Sequence, residues 1–284
     1  MNVAVSFNDR FVRYACVTLA SLLENSSLPV AVHVLTADLT ADSEDALRRL
    51  FAAYPGADLE IVRVDAGLFD NIDLSAFHMS KETFFRFLLP DILPSVDRLL
   101  YLDVDLVVRD DIAEVYETPL DGALAAAVRD LWLDRDEPSG LKEHLGLSAS
   151  DTYVNVGVML IDLAAWRRED VGRRAVRLMS ERGAEFQYFD QDVLNLLLRG
   201  RVRILDDRWN FATWNYERQK KMRKNAGILH YTGRVKPWTR PSRRWRDCVW
   251  EFHRRVTEHI LRTGRRPSCW RKMLYSMRAR HDGT

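Results

Sequence analysis

Two aspartates, Asp103 and Asp105, follow an apolar run that is typical of a buried strand, in the segment RLLYLDVDLVV (98–108). Side chains alternate along an extended chain, so residues two positions apart point to the same side and could hold one hard cation. A carboxylate is rarely buried unless it is paired or binds a metal, which places the two where a strand opens onto a ligand. Two carboxylates and a histidine suit an octahedral manganese or magnesium ion, with the other positions left to substrate oxygens.

The spacing alone is weak evidence, because Asp134/Asp136 and Asp190/Asp192 repeat it. Only the first pair follows a buried-strand pattern, and its alternative is a solvated strand end. The sequence contains no G-x-G-x-x-G, no G-x-x-x-x-G-K-[ST] and no H-E-x-x-H motif. These absences argue against a dinucleotide dehydrogenase, a P-loop enzyme and a zinc metalloprotease.

The elements that must position the aspartates alternate between strand and helix patterns. This alternation predicts an α/β fold with a mainly parallel central sheet flanked by helices. Ligands bind such sheets at the carboxyl ends of the strands, which is where Asp103 and Asp105 stand. The predicted strands are NVAVSF, VAVHVLT, LEIVRV, RLLYLD, ALAAAV, YVNVGVMLIDL and VRILD; the predicted helices cover 9–25, 41–53, TFFRFLLPDILP, 165–182 and 191–200, and GILHYTGRVKPW (227–238) is turn-like.

Composition divides the chain into a domain at 1–240 and a basic helical C-terminal tail at 241–284. Residues 240–284 hold 13 Lys and Arg against 4 Asp and Glu, although the whole chain has a net charge of only +1. The body is therefore acidic, which argues against nucleic acid as a partner. No apolar run is long enough to span a membrane, the start MNVAVSFNDR predicts a cytoplasmic protein, and three scattered cysteines favour no disulfide framework.

Four ordered motifs resemble the family 8 retaining glycosyltransferases, the group that contains bacterial lipooligosaccharide galactosyltransferases and glycogenin. The resemblance covers roughly residues 1–240. It implies a GT-A type nucleotide-diphospho-sugar fold, a UDP-hexose donor with manganese (magnesium is the alternative ion), and a glycan or glycolipid acceptor, as in lipopolysaccharide biosynthesis. The motifs are LLYLDVDLVV (99–108), YVNVGVMLIDLAAWRR (153–168), YFDQDVLN (188–195) and HYTGRVKPW (230–238).

The resemblance also implies which residues hold the donor. The manganese ligands are Asp103, Asp105 and His230. The alternative for His230 is a histidine with a purely structural role. Gly233 lets the backbone approach the diphosphate, and Lys236 offsets its charge. Further donor-binding residues lie near the uracil, the ribose or the diphosphate: Ser6, Phe7, Asn8, Phe11, Arg86 and Val104.

Two details qualify this assignment. The family often has an aspartate where Asn8 stands, although an amide can still both donate to and accept from uracil. The alternative for Arg86 is an exposed helix arginine.

The residues matched to the transferred sugar are Asp130, Asn155, Asp190 and Gln191. A neutral glutamine is a poor nucleophile, whereas a carboxylate is the usual one in glycosyl-enzyme formation. Because the resemblance places Gln191 beneath the anomeric carbon, it favours a front-face mechanism, in which the departing UDP phosphate deprotonates the acceptor and the carbonyl of Gln191 stabilises the transition state. Asp192 is interpreted as a helix N-terminal charge, and Trp132 and His78 are weaker acceptor-site candidates.

The tail contains two apolar repeats at helical spacing. The first starts at Trp245 and is expected to pack on the body; the second, around 270–277, lies among basic residues. A short basic helix with an aromatic residue fits an anionic membrane interface and predicts peripheral binding at the inner face of the cytoplasmic membrane. The alternatives are a solvated terminal helix and docking on an acidic part of the body.

Two other functions remain open from the sequence. LDVDLV also fits the start of haloacid-dehalogenase-like phosphatases, in which Asp103 would be the nucleophile. That family usually carries the motif on its first strand, whereas about a hundred residues precede it here. A non-catalytic sugar-nucleotide-binding protein is the other alternative, and the presence of Asp103, Asp105, Gln191 and His230 argues against it.

Overall fold

The structure, a computed structural model, describes residues 1–70, 72, 80–136, 140–212, 225–233, 236–239 and 245–267. Its strands form two sheets of unequal size. They are β1 (Asn2–Ser6), β2 (Val30–Thr36), β3 (Ala57–Arg63), β4 (Arg98–Leu102), β5 (Leu106–Val108), β6 (Ala125–Arg129), β7 (Val154–Asp162), β8 (Val202–Ile204), β9 (Phe211–Ala212) and β10 (Ile228–His230).

The larger sheet has the strand order β3-β2-β1-β4-β7-β6-β8. Its pairs are parallel except those that β7 makes with β4 and with β6. The predicted α/β class with a mainly parallel sheet is therefore confirmed. The smaller sheet has the order β5-β10-β9 and forms just beyond the carboxyl end of β4. Its strand β10 lies within the segment predicted to be turn-like.

Helices cover both faces of the larger sheet. The long helices carry apolar stripes, and α2 begins where the Thr40 hydroxyl accepts a hydrogen bond from the Ser43 amide. The helices are α1 (Val12–Glu24), α2 (Ala41–Ala52), α3 (Leu89–Ile92), α4 (Ala113–Tyr116), α5 (Leu141–His144), α6 (Leu163–Arg168), α7 (Val171–Arg182), α8 (Asp190–Leu197) and α9 (Trp245–Thr263).

Two predicted helices differ from the structure. The segment predicted as one helix over 165–182 forms α6 and α7, because Asp170 between them adopts a left-handed conformation with φ 55° that no α-helix continues. The segment TFFRFLLPDILP forms a 3-10 helix, Lys81–Leu88, followed by the single turn of α3. Apolar periodicity does not distinguish these tighter turns from an α-helix.

The C-terminal helix α9 packs against α1 and α2 on one face of the larger sheet. Its side chains Phe252, Val256 and Ile260 are buried in the same apolar cluster as Cys16 and Leu47. No helix among the described residues is both long and apolar enough to cross a membrane. The second apolar repeat of the tail, and with it the predicted membrane-binding helix, lies outside the described residues.

Two contacts at the ends of α9 join it to the body. Near its start, Trp250 packs beside Trp238, whose ring stacks on Tyr14 of α1 with centroids 4.0 Å apart. Just after its end, the guanidinium of Arg266 lies 3.1 Å from the buried carboxylate of Glu24. The helix therefore spans α1 from one end to the other.

Candidate active site

Asp103, Asp105 and His230 converge at the carboxyl end of β4. Each offers one ligand atom, and the three atoms lie within 4.8 Å of one another. His230 Nε2 is 3.1 Å from Asp105 Oδ1 and 3.7 Å from Asp103 Oδ2. Two carboxylates and one imidazole form a donor set that suits manganese or magnesium, so the residues fit the predicted ion.

The small sheet brings His230 to the aspartates across 125 positions of sequence. Strand β10 pairs antiparallel with β5, and His230 is opposite Leu106 in this register. The amide of Tyr231 donates a 2.9 Å hydrogen bond to the carbonyl of Asp105. Backbone pairing therefore fixes the separation of the imidazole and the carboxylates before any ion binds.

Lys236 supplies a cation beside this cluster. Its Nζ lies 2.5 Å from Asp105 Oδ2 and donates a 2.7 Å hydrogen bond to the Tyr231 carbonyl. Burial tends to raise the pKa of Asp105, but the charge of Lys236, followed by that of His230, outweighs it and holds this pKa well below its usual range. Asp105 is therefore an anion ready to bind a cation. Gly233 has a φ of +83°, a left-handed conformation that glycine adopts without strain.

Gly157 of β7 is a site residue that the sequence analysis did not single out. A Cβ atom there would lie 2.4 Å from Asp103 Oδ2 and 2.4 Å from His230 Cε1. The register of β7 against β6 also shifts in this region, between Ala127 and Val128. An isolated glycine inside a strand pattern is a signal of a bulge or a close approach, and both occur here.

Arg86 connects the metal cluster, the name used here for Asp103, Asp105 and His230, to the neighbouring acidic residue Asp190. Its side chain is buried, its Nη2 donates a 2.8 Å hydrogen bond to Asp103 Oδ1, and its Nε lies 3.1 Å from Asp190 Oδ2. Nη1 donates to the Val156 carbonyl, and the guanidinium lies 4.1 Å from the ring centroid of Tyr101. The alternative of an exposed helix arginine is therefore wrong, because the 3-10 helix turns this residue inward.

Asp190 and Asp192 occupy the first turn of α8, where both are buried. Burial raises the pKa of Asp190 to about 6, although the charge of Arg86 acts to lower it. Asp192 accepts hydrogen bonds from the Tyr153 hydroxyl and the Tyr188 amide, so it also connects α8 to the residue that precedes β7. The preceding residue, Phe189, has φ 46°, an unusual conformation for a bulky residue that costs about 1–3 kcal/mol.

Asp130, Asn155 and Gln191 form the second cluster of predicted residues. One carboxylate oxygen of Asp130 accepts a 3.3 Å hydrogen bond from the amide of Asn155 and another from that of Gln191. The carbonyl oxygen of Gln191 accepts a 3.3 Å hydrogen bond from the Val156 amide. A small pocket adjoins this cluster and is lined by Asp130, Asn155 and Asn210 among others.

The residues predicted to bind the base follow the carboxyl end of β1. Asn8 Nδ2 donates to the buried carboxylate of Glu82 at 3.4 Å, whereas Asn8 Oδ1 is buried with no hydrogen-bond partner among the described residues. Ser6 shares a 2.7 Å hydrogen bond with the Tyr101 hydroxyl. Phe7 differs from the expectation, because its side chain belongs to the apolar core. Phe11 is partly buried against Tyr14.

The remaining predicted residues lie at the edges of the site. The carbonyl of Val104, between the two aspartates, accepts a 2.9 Å hydrogen bond from the Thr18 hydroxyl. Trp132 is 36% exposed in the turn that follows Asp130. His78 lies outside the described residues.

Comparisons with known proteins identify relatives across nearly the whole body. Residues 2–242 match glycosyl transferase family 8. The lipopolysaccharide 1,3-galactosyltransferase of Salmonella typhimurium is 26% identical over 251 residues, covering 84% of this chain and 72% of that protein. The lipopolysaccharide 1,2-glucosyltransferase of Escherichia coli is 33% identical over 172 residues, covering 56% of this chain and 49% of that protein.

Solved structures are similar over the same region. The galactosyltransferase LgtC in complex with donor and acceptor sugar analogs matches with a TM-score of 0.78 and 28% identity, covering 96% of this chain and 99% of that one. A structure of an active-site mutant of LgtC matches with a TM-score of 0.79 and 27% identity, covering 89% of this chain and 95% of that one.

Proposed function

Because the chain belongs to glycosyl transferase family 8, we propose that it transfers galactose or glucose from a UDP-sugar to a hydroxyl of a glycan or glycolipid. Family membership and the GT-A fold confirm the resemblance found in the sequence. The observation that carries the finer proposal is the convergence of Asp103, Asp105 and His230 beside the cluster of Asp130, Asn155 and Gln191. The first of these clusters suits a divalent ion with a diphosphate, and the second, the sugar cluster, suits the hydroxyls of a sugar.

Asp103, Asp105 and His230 are proposed to hold the ion, which is manganese in this proposal with magnesium as the alternative. When bound, such an ion acts as a Lewis acid that offsets charge on the diphosphate leaving group. Lys236 is proposed to leave Asp105 and pair with a diphosphate oxygen, since its flexible side chain can move between neighbouring anions. Gly233 allows the backbone to follow the diphosphate closely.

The orphaned oxygen of Asn8 supports a role in recognising the base. A buried acceptor without a partner is costly, and uracil offers the N3–H donor that would satisfy it. Glu82 holds the amide nitrogen of Asn8 and so turns the oxygen away from the carboxylate. Ser6, Phe11 and Val104 are proposed to line the nucleoside, and Phe7 to contribute through its backbone.

Asp190 and Asp130 are proposed to orient the hydroxyls of the transferred sugar, and Asn155 to hold Asp130 in place. Gln191 is held from both ends of its amide, by Asp130 and by the Val156 amide. A carbonyl oxygen has two lone pairs, so Gln191 can stabilise positive charge at the anomeric carbon while keeping its hydrogen bond. The departing phosphate takes the proton of the acceptor hydroxyl as the new bond forms on the same face.

A donor screen tests the proposed activity. Incubation of the protein with UDP-galactose or UDP-glucose and manganese is expected to release UDP slowly by hydrolysis, because water can replace the acceptor. Addition of EDTA is expected to stop the release, and GDP-mannose serves as the control donor. Release of inorganic phosphate from simple phosphate esters instead of UDP would favour the phosphatase alternative, in which Asp103 is the nucleophile.

Stereochemistry tests the proposed role of Gln191. An α-linked donor is expected to give an α-linked product, which proton NMR of the first product identifies by its small anomeric coupling. Gln191→Ala is expected to slow transfer by about 100-fold, because one group that stabilises the transition state is lost while the leaving-group site remains. A β-linked first product contradicts the front-face mechanism, and unchanged transfer by Gln191→Ala contradicts the role of this residue.

We also propose that the acceptor is a lipid-linked glycan and that the basic tail holds the protein at an anionic membrane surface. The named activities of the Salmonella and Escherichia coli relatives support the acceptor class. Four of the seventeen residues at 268–284 are Arg or Lys, and each basic residue near an anionic surface adds on the order of 1 kcal/mol at low salt. No nucleic acid partner is proposed, because the body is acidic.

Vesicle co-sedimentation tests the tail. The full chain is expected to bind phosphatidylglycerol vesicles at low salt and to dissociate at high salt, because the attraction is electrostatic and screened. A chain ending at residue 267 keeps Arg266 and its contact with Glu24 and is expected to lose most of this binding. Equal binding by the two chains, or no binding by either, contradicts membrane attachment through the tail.

A further inference from the structure

Asn210 is a buried residue next to the metal cluster for which the proposed function has no role so far. It ends the 3-10 helix Asp207–Asn210 and precedes β9. Its side chain is 6% exposed and lies between His230 and Asn155. The Asn210 Oδ1 atom is 2.8 Å from His230 Nδ1, so this pair forms a hydrogen bond whose direction depends on which atom carries the proton.

The surrounding hydrogen bonds determine that direction. Asp130 is a carboxylate and can only accept, whereas the Gly157 amide can only donate. Asn155 contacts both, so its Nδ2 must donate to Asp130 Oδ2 at 3.3 Å and its Oδ1 must accept from Gly157 at 3.0 Å. The same Asn155 Oδ1 lies 2.8 Å from Asn210, which must therefore present its Nδ2 there. Only the oxygen of Asn210 remains to face His230.

An oxygen beside His230 Nδ1 requires that nitrogen to carry a proton. The carboxylates of Asp103 and Asp105 face the other nitrogen, Nε2, at 3.7 and 3.1 Å, and because they only accept, the proton on Nε2 is the one that a bound cation replaces. A metal ligand must present a lone pair, and its other ring nitrogen usually donates to an oxygen that fixes the ring. The opposite tautomer would place a lone pair against Asn210 Oδ1 and a proton where the cation must bind.

We propose that Asn210 is a positioning residue that keeps the proton of His230 on Nδ1 and leaves Nε2 for the divalent cation. The inference rests on the proposed function in one respect, the identity of the cation, whereas the hydrogen-bond argument does not depend on it. Asn155 transmits the constraint from two fixed groups, the Asp130 carboxylate and the Gly157 backbone, so the sugar cluster and the metal cluster share one hydrogen-bond chain. Asn210 itself touches no reacting atom in this proposal.

The proton on His230 Nδ1 is the direct test. In protein labelled with ¹⁵N-histidine, two-bond ¹H–¹⁵N correlation spectra recorded with and without Mg²⁺ distinguish a protonated ring nitrogen from a bare or metal-bound one, and His230→Gln assigns the signal among the 7 histidines. The expected result is a proton on Nδ1 in both spectra, with Nε2 losing any proton when Mg²⁺ binds. A bare or metal-bound Nδ1 in the unaltered protein overturns the proposal, whatever any variant does.

Variants add a readout of cation affinity, measured with Mn²⁺ alone by the EPR signal of the free ion. Asn210→Leu is expected to weaken Mn²⁺ binding by about 10- to 100-fold and to shift His230 towards the Nε2–H tautomer. Asn210→Asp keeps an oxygen acceptor and is expected to retain the proton on Nδ1. Asp206→Ala removes an exposed residue that accepts from the Arg208 amide in the same 3-10 helix, and it is expected to leave both readouts unchanged.

The outcomes separate this inference from the proposed function. If the unaltered protein shows the Nδ1–H tautomer but binds no Mn²⁺, the positioning role stands and the metal-dependent function fails. If Asn210→Leu folds, keeps the Nδ1–H tautomer and binds Mn²⁺ as tightly as the unaltered protein, the positioning role fails and the metal site stands. If Asn210→Leu does not fold, the spectrum of the unaltered protein and that of Asn210→Asp still decide the tautomer.

Discussion

Asp105→Asn is expected to lower sugar transfer about 1000-fold or more, equivalent to roughly 4 kcal/mol of transition-state stabilisation. The reason is that Asp105 is the carboxylate closest to both His230 Nε2 and Lys236 Nζ, at 3.1 and 2.5 Å. An amide keeps the shape of the side chain but lacks the charge that holds a divalent ion and a lysine together. UDP release assays with and without manganese, together with titration of UDP by calorimetry, measure the effect.

The fold of Asp105→Asn is expected to remain intact, because the site is at the end of β4 and outside the apolar clusters. Asp121→Asn is a matched control, since it also replaces an aspartate by an amide but lies in an exposed turn paired with Arg203. Its φ of 49° is one that asparagine tolerates well. Manganese-dependent activity in Asp105→Asn equal to that of Asp121→Asn contradicts the assignment of the metal site.

Arg86→Met is expected to lower the free energy of unfolding by about 3–5 kcal/mol at pH 8, and to abolish transfer. Methionine fills a similar volume but leaves two carboxylates, Asp103 and Asp190, without their cation. The loss arises because the buried negative charge is left unpaired. The free energy that this costs is much larger than the stabilisation that an exposed ion pair provides. Urea unfolding of the metal-free protein measures it.

The pH dependence of this loss distinguishes charge from packing. The pKa of Asp190 is already raised to about 6 by burial, against an ordinary value of 3.8, and removal of Arg86 raises it further. A raised pKa means that the folded state binds the proton more tightly, so stability falls as pH rises from about 4 through the folded pKa. At pH 5, Asp190 is protonated in the folded variant, and the destabilisation is expected to be smaller than at pH 8.

The double variant Arg86→Met/Asp190→Asn is the control, because it removes the titrating group. It is expected to recover part of the stability at pH 8 and to lose the pH dependence between 5 and 8. A loss of the same size at both pH values in Arg86→Met would mean that packing, rather than the charge of Asp190, dominates the role of this arginine.

The predictability of the site from sequence depended on whether its residues belong to local patterns. Asp103 and Asp105 were identified because an apolar run ends beside them, and strand ends open onto ligands in α/β sheets. His230 has no such signal of its own, since it reaches the aspartates through the pairing of β10 with β5. Its assignment depends on the family motif alone, because that motif includes the histidine that the strand pairing brings to the aspartates.

The residues that support the site were not predicted, for two different reasons. Gly157 had a signal, an isolated glycine in a strand pattern, but the pattern does not reveal which side chains approach it. Asn210 had none, because an amide that connects two distant side chains leaves no periodicity in the sequence. The fold was predicted more completely than the site, although the break between α6 and α7 depends on the left-handed Asp170, which helix patterning does not detect.

The packing of α9 on α1 has a consequence for synthesis of the chain. Roughly 220 residues separate the end of α1 from the start of α9, and ribosomes add about 5–20 residues per second. The apolar face of α1 that receives Phe252, Val256 and Ile260 therefore emerges on the order of 10–45 s before the helix that covers it. During this interval the nascent protein exposes an apolar surface of the kind that chaperones bind, and it is covered only when the C-terminal segment has been synthesised.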